Sequence, residues 1–309
     1  MERRQARPRK AAHLIPRIAT NVKQEKVVRL LADEASSFSC LLDAVSPVQV
    51  MSFGGGVQSV AILVLSAQGK LPYKHFLFAN VGDDSEYPGT LEYFRHVALP
   101  FAESEGLHLW EVRRRMKDGT PETLIGRLRR TKSSISIPIR MQNGAPGNRT
   151  CTTDFKIKVI AKELKEMGAT KENPGIVGIG ISTDEAHRAN NRTVIAWERT
   201  EYPLLKLRLS RSDCARIIRD AGLPEPPKSA CWFCPFHRPS EWQRLQREEP
   251  ELFQKAVELE RFINERRRRL GKDSVWLTRF GKPLDEVFSV TQTELPFELD
   301  NCESGYCMT

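Results

Sequence analysis

Apolar residues along this chain follow two rhythms. Short apolar runs at 48–51, 75–80 (HFLFAN) and 107–112 alternate with stretches of helical spacing at 58–68, closed by Gly69, and from 88 to about 105. Short continuous runs read as buried strands and the longer periodic ones as amphipathic helices, so the order is β-α-β-α-β. That order predicts an α/β fold with a doubly wound, mostly parallel sheet. A further apolar run at 176–181 (IVGIGI) predicts another strand. Helical spacing returns at 154–167, at 209–221 behind the capping candidates Ser210 and Ser212, and over a long charged stretch at 248–270. Ahead of the first strand, Val27, Val28, Leu30, Leu31, Leu41 and Leu42 keep helical spacing.

Two regions break the rhythm. Residues 113–150 are basic and punctuated by Gly119, Pro121, Pro138, Gly144, Pro146 and Gly147, which predicts loops and short helices over one edge of the sheet. Residues 271–309 show little periodicity and read as a tail. The expected organisation is a basic N-terminal arm with helices at 1–45, a nucleotide-binding α/β domain at 46–222, and a cysteine-bearing helical extension at 223–309.

Charge sharpens this picture. The net charge of the 309 residues is +9, and the excess is concentrated. Residues 1–30 hold nine Lys/Arg against two Asp/Glu, and residues 111–158 hold twelve against four. Such blocks suit a polyanion, either nucleic acid or a phosphorylated nucleotide, although residues 1–12 also have the composition of a solvated tail. No apolar run reaches the ~18 residues of a membrane-spanning helix. MERRQARPRK lacks the apolar stretch of a secretory signal. A soluble, cytoplasmic protein is expected.

Between the first strand and the first helix lies Ser52-Phe-Gly-Gly-Gly-Val-Gln-Ser59. A glycine-rich turn at a helix N-terminus lets backbone N–H groups approach an anion, and Gly54, Gly55 and Gly56 remove the Cβ atoms that would block it. Ser52 and Ser59 offer hydroxyl donors. The same triplet also serves a tight turn with no ligand. No Lys-Ser/Thr follows, so it is not a Walker A loop, and it is not G-x-G-x-x-G.

The stretch resembles the PP-loop of the adenine nucleotide alpha-hydrolase superfamily, S-G-G-x-D-S, with Gly55 and Gly56 on the glycine pair and Gln58 on the acidic position. The Ser-Phe-Gly prefix and the Gln are similar to the sulfonucleotide (PAPS) reductase branch. Residues 80–90, NVGDDSEYPGT, resemble that family's D-T-G-x-x-F/Y-P-E-T. Residues 178–188, GIGISTDEAHR, resemble its G-x-R-x-x-E-S-x-x-R without the first arginine, and YPLL from Tyr202 resembles its Y-P-L-I. The resemblance runs from about Val48 to His237. It implies adenine nucleotide bound by Ser52, Gly54, Gly55, Gly56, Gln58, Ser59, Gly82, Asp83, Asp84, Arg149, Lys156 and Arg188, with Glu185 a further candidate. Asp83 and Asp84 would hold a ribose or a metal such as Mg²⁺, or cap the next helix. Gln58 brings no negative charge for Mg²⁺, which favours a sulfonucleotide (adenylyl sulfate or its 3′-phosphate) over ATP.

Seven cysteines with no secretion signal point to metal or catalytic use rather than a disulfide framework. Cys231-Trp-Phe-Cys234 is a C-x-x-C, a spacing that lets two thiolates reach one metal. Cys151, in Asn-Arg-Thr-Cys-Thr-Thr-Asp-Phe-Lys156, resembles the family's first cluster segment, with Thr152 in place of its second cysteine. Cys214 is the candidate fourth ligand, with Cys302 and Cys307 as alternatives, while Cys40 reads as a buried thiol. Four thiolates suit a [4Fe–4S] cluster or a zinc ion by count, and the resemblance implies the cluster. Cys307 or Cys302, on the tail, are candidate nucleophiles, though the family's E-C-G-L-H is not reproduced.

Three functions stay open at this point. One is sulfonucleotide reduction by a cysteine thiolate with a thioredoxin-like reductant. The second is ATP-dependent sulfur insertion into tRNA or DNA. The third is a non-catalytic module binding nucleotide or nucleic acid. A homo-oligomer is compatible with all three. The run Arg266–Arg269 complements the dipole at a helix C-terminus.

Overall fold

The computed structural model describes residues 47–189 and 195–289. The N-terminal arm and its helical stretch, Cys40, Cys302 and Cys307 lie outside the described residues. The boundary between the two units of the chain falls after Ser46.

Five strands, β1 (Gln49–Ser52), β2 (His75–Asn80), β3 (His108–Arg113), β4 (Gly175–Ile179) and β5 (Glu198–Glu201), form one sheet in the order β3-β2-β1-β4-β5. Every pairing is parallel. The fold is α/β and Rossmann-like in its strand order. Strand alternation divides the apolar residues between two faces. Met51, Phe76, Phe78 and Leu109 share one buried cluster, and Val50, Leu77, Ala79, Val112 and Val177 share another.

Helices cover both faces. The first cluster includes residues of α1 (Val57–Ala67) and α2, which runs through Pro88–Tyr93, a π-helical turn at Phe94–Ala98, and Leu99–Ser104. Helix α3 is Leu124–Arg130. Helix α4 runs through Thr150–Thr152, a second π-helical turn at Thr153–Ile157, and Lys158–Glu166, and it packs on the second face through Val159, Ile160 and Leu164. The short α5 (Pro203–Lys206) leads to α6 (Arg211–Asp220), which packs on α1 and is capped by the Ser210 hydroxyl accepting from the Asp213 N–H.

Three features add to or differ from the expected elements. Strand β5 (ERTE) carries no apolar rhythm because it is an edge strand with no fully buried residue. The long charged helix expected at 248–270 is α8 (Pro250–Arg269), and a helix that the sequence pattern did not single out, α7 (Pro239–Glu248), runs directly into it. Pro250 lacks an N–H and restarts the helix, with Glu249 at φ −138° between them. Finally, 271–289 is no tail. Val275, Leu277, and Leu284, Val287 and Phe288 in and just after α9 (Leu284–Val287), are buried in a third cluster with α3, α7, α8, Trp232 and Phe233. Backbone hydrogen bonds between Arg140 and Trp276 join this segment to the basic region.

The basic region is organised around one buried acid. The side chain of Glu122, 4 % exposed, receives Arg114 at 2.7 Å and also Arg127 and Arg130. Burial alone would push Glu122 up, but the hydrogen bonds from Arg127, Arg114 and Arg130 outweigh it and hold the carboxyl at about 2. A depressed acid contributes stability that is complete above its unfolded value and lost as pH falls through its folded one. The stabilisation, roughly 3 kcal/mol, should therefore disappear between about pH 4.5 and pH 2. Denaturant titrations of the wild type and Glu122→Gln across that window check this. The variant should be destabilised at neutral pH and show a shallower acid limb, and parallel curves would refute the assignment.

Candidate active site at the sheet switch point

Strands β2 and β3 extend from one side of β1, and β4 and β5 from the other. Ligands of open α/β sheets bind beyond the strand C-termini at such a reversal. A cleft lies there. It is lined by Gly56, Val57 and Gln58 after β1, by Glu185 and Arg188 after β4, by Arg211 at the start of α6, and by 228–230, Cys234, Phe236 and His237.

The glycine loop is shaped by contact. Gly55 has φ +74°, and a Cβ there would stand 2.8 Å from the Thr90 methyl. Gly56 caps α1. Its N–H donates to the Ser59 hydroxyl at 3.1 Å, and that hydroxyl donates to the Gly56 carbonyl at 2.9 Å. Ser59 thus holds the helix start, and the amide of Gln58 reaches across the cleft. Its Nε2 donates to Glu185 at 3.2 Å, and its Oε1 accepts from Arg211 at 3.3 Å. Glu185 is also ion-paired with Arg188.

Arg188 is the unusual residue. Its side chain is 6 % exposed, and its Nε and Nη2 have no hydrogen-bond partner among the described residues. Buried, unpaired guanidinium N–H groups are costly, and an anion with two oxygens is their natural complement. The cleft therefore pairs a helix N-terminus with a buried arginine whose fork lacks a partner among the described residues.

The cysteine segment closes over this loop. Ser229 Oγ donates to the Gly54 carbonyl, and Ala230 and Glu86 frame the chain leading into Cys231. The Cys234 N–H donates to the Cys231 carbonyl at 3.1 Å, forming the C-x-x-C turn. Arg140 and Arg149 both lie over the Phe236 ring, at 5.3 and 5.4 Å.

Behind the cleft, Cys151, Cys231, Cys234, Lys156 and Glu86 share one electrostatic neighbourhood. Burial pushes the Cys231 thiol well up, Glu86 and Cys234 add to that, and Lys156 opposes it. Burial also raises Cys151, against Arg149 and Lys156. For Lys156, burial acts to remove the proton, and Glu86 and Cys231 outweigh it, so the ammonium stays charged. Glu86 is 1 % exposed, and neither carboxylate oxygen has a hydrogen-bond partner among the described residues.

Other predicted site residues stand elsewhere. Cys214 is 0 % exposed in the apolar cluster where α6 packs on α1, and burial pushes its thiol to about 12. It packs in a different cluster from Cys151 and Cys231, so it corrects to a core thiol. Asp83 accepts from Asn80 and is ion-paired with Arg95 and Arg113. Asp84 accepts from Ser85 and Thr123. Gly82, at φ +128°, directly precedes them in the turn after β2, where a Cβ would meet Thr123 at 2.6 Å. These three shape the end of β2 and are not among the cleft's lining residues. Ser52 ends β1 beneath the loop.

Sequence patterns did not single out Arg211, Lys228, Ser229, Phe236, His237 or Glu86. They occupy unrelated motifs, and only packing brings them to the loop. Among the described residues, no group of three or more His, Cys, Asp or Glu is arranged to hold a single metal ion, and no helix is long and apolar enough to cross a membrane. No family model, no curated protein and no solved structure matches this chain.

Proposed function

We propose that this chain is a PP-loop enzyme of the PAPS reductase type that binds an adenine nucleotide in the switch-point cleft and performs sulfur chemistry. One observation carries this: the glycine-rich start of α1, Arg188, whose Nε and Nη2 lack a partner among the described residues, and Cys234 of the C-x-x-C line the same cleft. The α1 N-terminus and Arg188 would hold the anionic end of the nucleotide, with Arg211 and Lys228 adding positive charge.

Cys151, Cys231 and Cys234 would be the thiolate ligands of a bound metal group, and the resemblance favours a cluster over an isolated zinc ion. Lys156 and Arg149 supply the positive charge that buried thiolates need. The fourth ligand falls to Cys302 or Cys307. A bound cluster would supply electrostatic and redox tuning beside the nucleotide.

In sulfonucleotide reduction, a thiolate of Cys307 or Cys302 attacks the sulfonyl sulfur. An S–S bond forms, the S–O bond to the phosphate breaks, and the nucleotide leaves with the electron pair. A dithiol partner of thioredoxin type then attacks the cysteine sulfur. Sulfite leaves as a mixed disulfide forms, the partner's second thiolate displaces the enzyme cysteine, and the partner, oxidised to its disulfide, has supplied the two electrons.

Glu185 favours a second reading. Gln58 cannot bind Mg²⁺ through a charge, but its amide holds the Glu185 carboxylate beside it. A carboxylate near the loop would restore ATP chemistry, with adenylylation of a nucleic-acid acceptor before sulfur transfer.

Anaerobic purification with iron and sulfide analysis, followed by thermal-shift titration with ATP–Mg²⁺, adenylyl sulfate and its 3′-phosphate, tests both. A brown protein stabilised by sulfonucleotides without Mg²⁺ supports the first reading. Mg²⁺-dependent stabilisation by ATP, abolished in Glu185→Gln, supports the second. A colourless protein indifferent to all three ligands sinks both.

A further inference from the structure

We propose that the joined C-terminal ends of α3 and α8 form a binding surface for single-stranded nucleic acid. The inference does not depend on the switch-point cleft and would survive if that cleft bound nothing.

Two basic helix ends from distant parts of the chain are held together here. Arg266 Nη1 donates to the Leu128 and Thr131 carbonyls, so the last turn of α8 is fastened to the last turn of α3. Arg129 and Lys132 flank the tethered carbonyls at the end of α3, and Arg267, Arg268 and Lys272 follow Arg266 at the end of α8. Each of these five lacks a side-chain ion pair among the described residues, in contrast to Arg130 and Arg269, which are tied to Glu122 and Glu265. Arg129, Lys132, Arg268 and Lys272 are exposed. Each helix C-terminus draws cations through its dipole, which accounts for one basic turn apiece. It does not account for fastening two such turns together. Gathering like charges is unfavourable unless a polyanion offsets it, and a row of phosphates does so with release of counterions.

An aromatic ring lies beside this row. Phe262, one turn before Arg266 on α8, is 40 % exposed, with the Arg266 guanidinium 5.6 Å from its centroid. Leu270 is 46 % exposed at the end of the same helix. A basic surface with an exposed aromatic platform suits an unpaired strand, whose bases can stack while its phosphates pair with cations. A duplex keeps its bases stacked inside and would leave Phe262 unused.

Fluorescence anisotropy of the full chain with labelled oligothymidylate, across a salt series, tests this. Arg129→Glu with Arg268→Glu and Lys272→Glu should weaken binding at least tenfold and flatten the salt slope by about two, since each lost phosphate contact removes about 0.7 for a single strand. Neutralising all three to Gln gives the same direction with less risk to folding. Lys70→Glu with Lys74→Glu and Lys171→Glu, the same charge change on other exposed sites, should leave the slope nearly intact. Phe262→Ala should weaken single-strand binding several-fold and leave duplex binding unchanged. Equal losses in the two charge variants, tighter binding to duplex than to single strand, or no binding at low salt would each overturn the proposal.

Discussion

Replacing Glu260 with alanine is expected to destabilise the protein by roughly 2–6 kcal/mol, because two buried N–H groups would lose their acceptor at about 1–3 kcal/mol each. Glu260 lies on α8, 2 % exposed. Its oxygens accept from the Leu277 N–H at 2.6 Å and from the Leu284 N–H at 2.8 Å. One side chain thus fastens the 272–289 segment to the core, and its loss should free Val275, Leu277 and Leu284 from the third apolar cluster. Urea unfolding followed by tryptophan fluorescence measures the cost. Glu260→Gln keeps one oxygen and should cost about half as much. The carboxyl also predicts a pH dependence. Burial raises its pKa to about 7, even though the Leu277 and Leu284 amides pull it down. The folded state then keeps a proton that the unfolded chain releases near 4.5, so this contribution is full below 4.5 and falls as pH rises to about 7. Glu260→Gln should flatten that slope, and an unchanged slope would mean that another group titrates.

Arg188→Gln is expected to weaken anion binding in the cleft by about 10- to 100-fold. A hydrogen bond to a charged group is worth about 1.5–3 kcal/mol, and each 1.4 kcal/mol is tenfold. The ligand-free protein should lose little stability. Glu185 keeps its contact with Gln58, and two buried N–H groups without a partner among the described residues are removed. Calorimetric titration with adenylyl sulfate and with ATP–Mg²⁺ separates this from a folding defect. Wild-type affinity in the variant would mean that the fork faces no ligand, and the cleft assignment would fall with it.

The parallel sheet was legible because Val50/Met51 and Phe76/Leu77 sit in continuous apolar runs, which only a strand buried on both faces requires. Helix α6 was legible from the helical spacing at 209–221 behind the capping candidates Ser210 and Ser212. β5 was not, since an edge strand needs no apolar residue. The 272–289 segment was not, because its apolar residues are irregularly spaced and its anchor, Glu260, is a charged residue on a helix whose other acids face solvent. Cys214 was misassigned for a related reason: a cysteine at a core position of an amphipathic helix has the same letter as a ligand.

By itself, the order of residues determined the local elements: which runs are strands, where Gly55 and Gly56 permit a sharp turn into α1, and which cysteines are spaced as a pair. Only the tertiary structure decided which side chains meet. It placed Glu185 and Arg211 on the Gln58 amide, turned Arg188 inward with two N–H groups unpaired among the described residues, and carried the C-x-x-C over the glycine loop. The reason is that backbone propensity acts over a few residues, whereas a site is assembled by the burial of surfaces that lie more than a hundred residues apart in the chain.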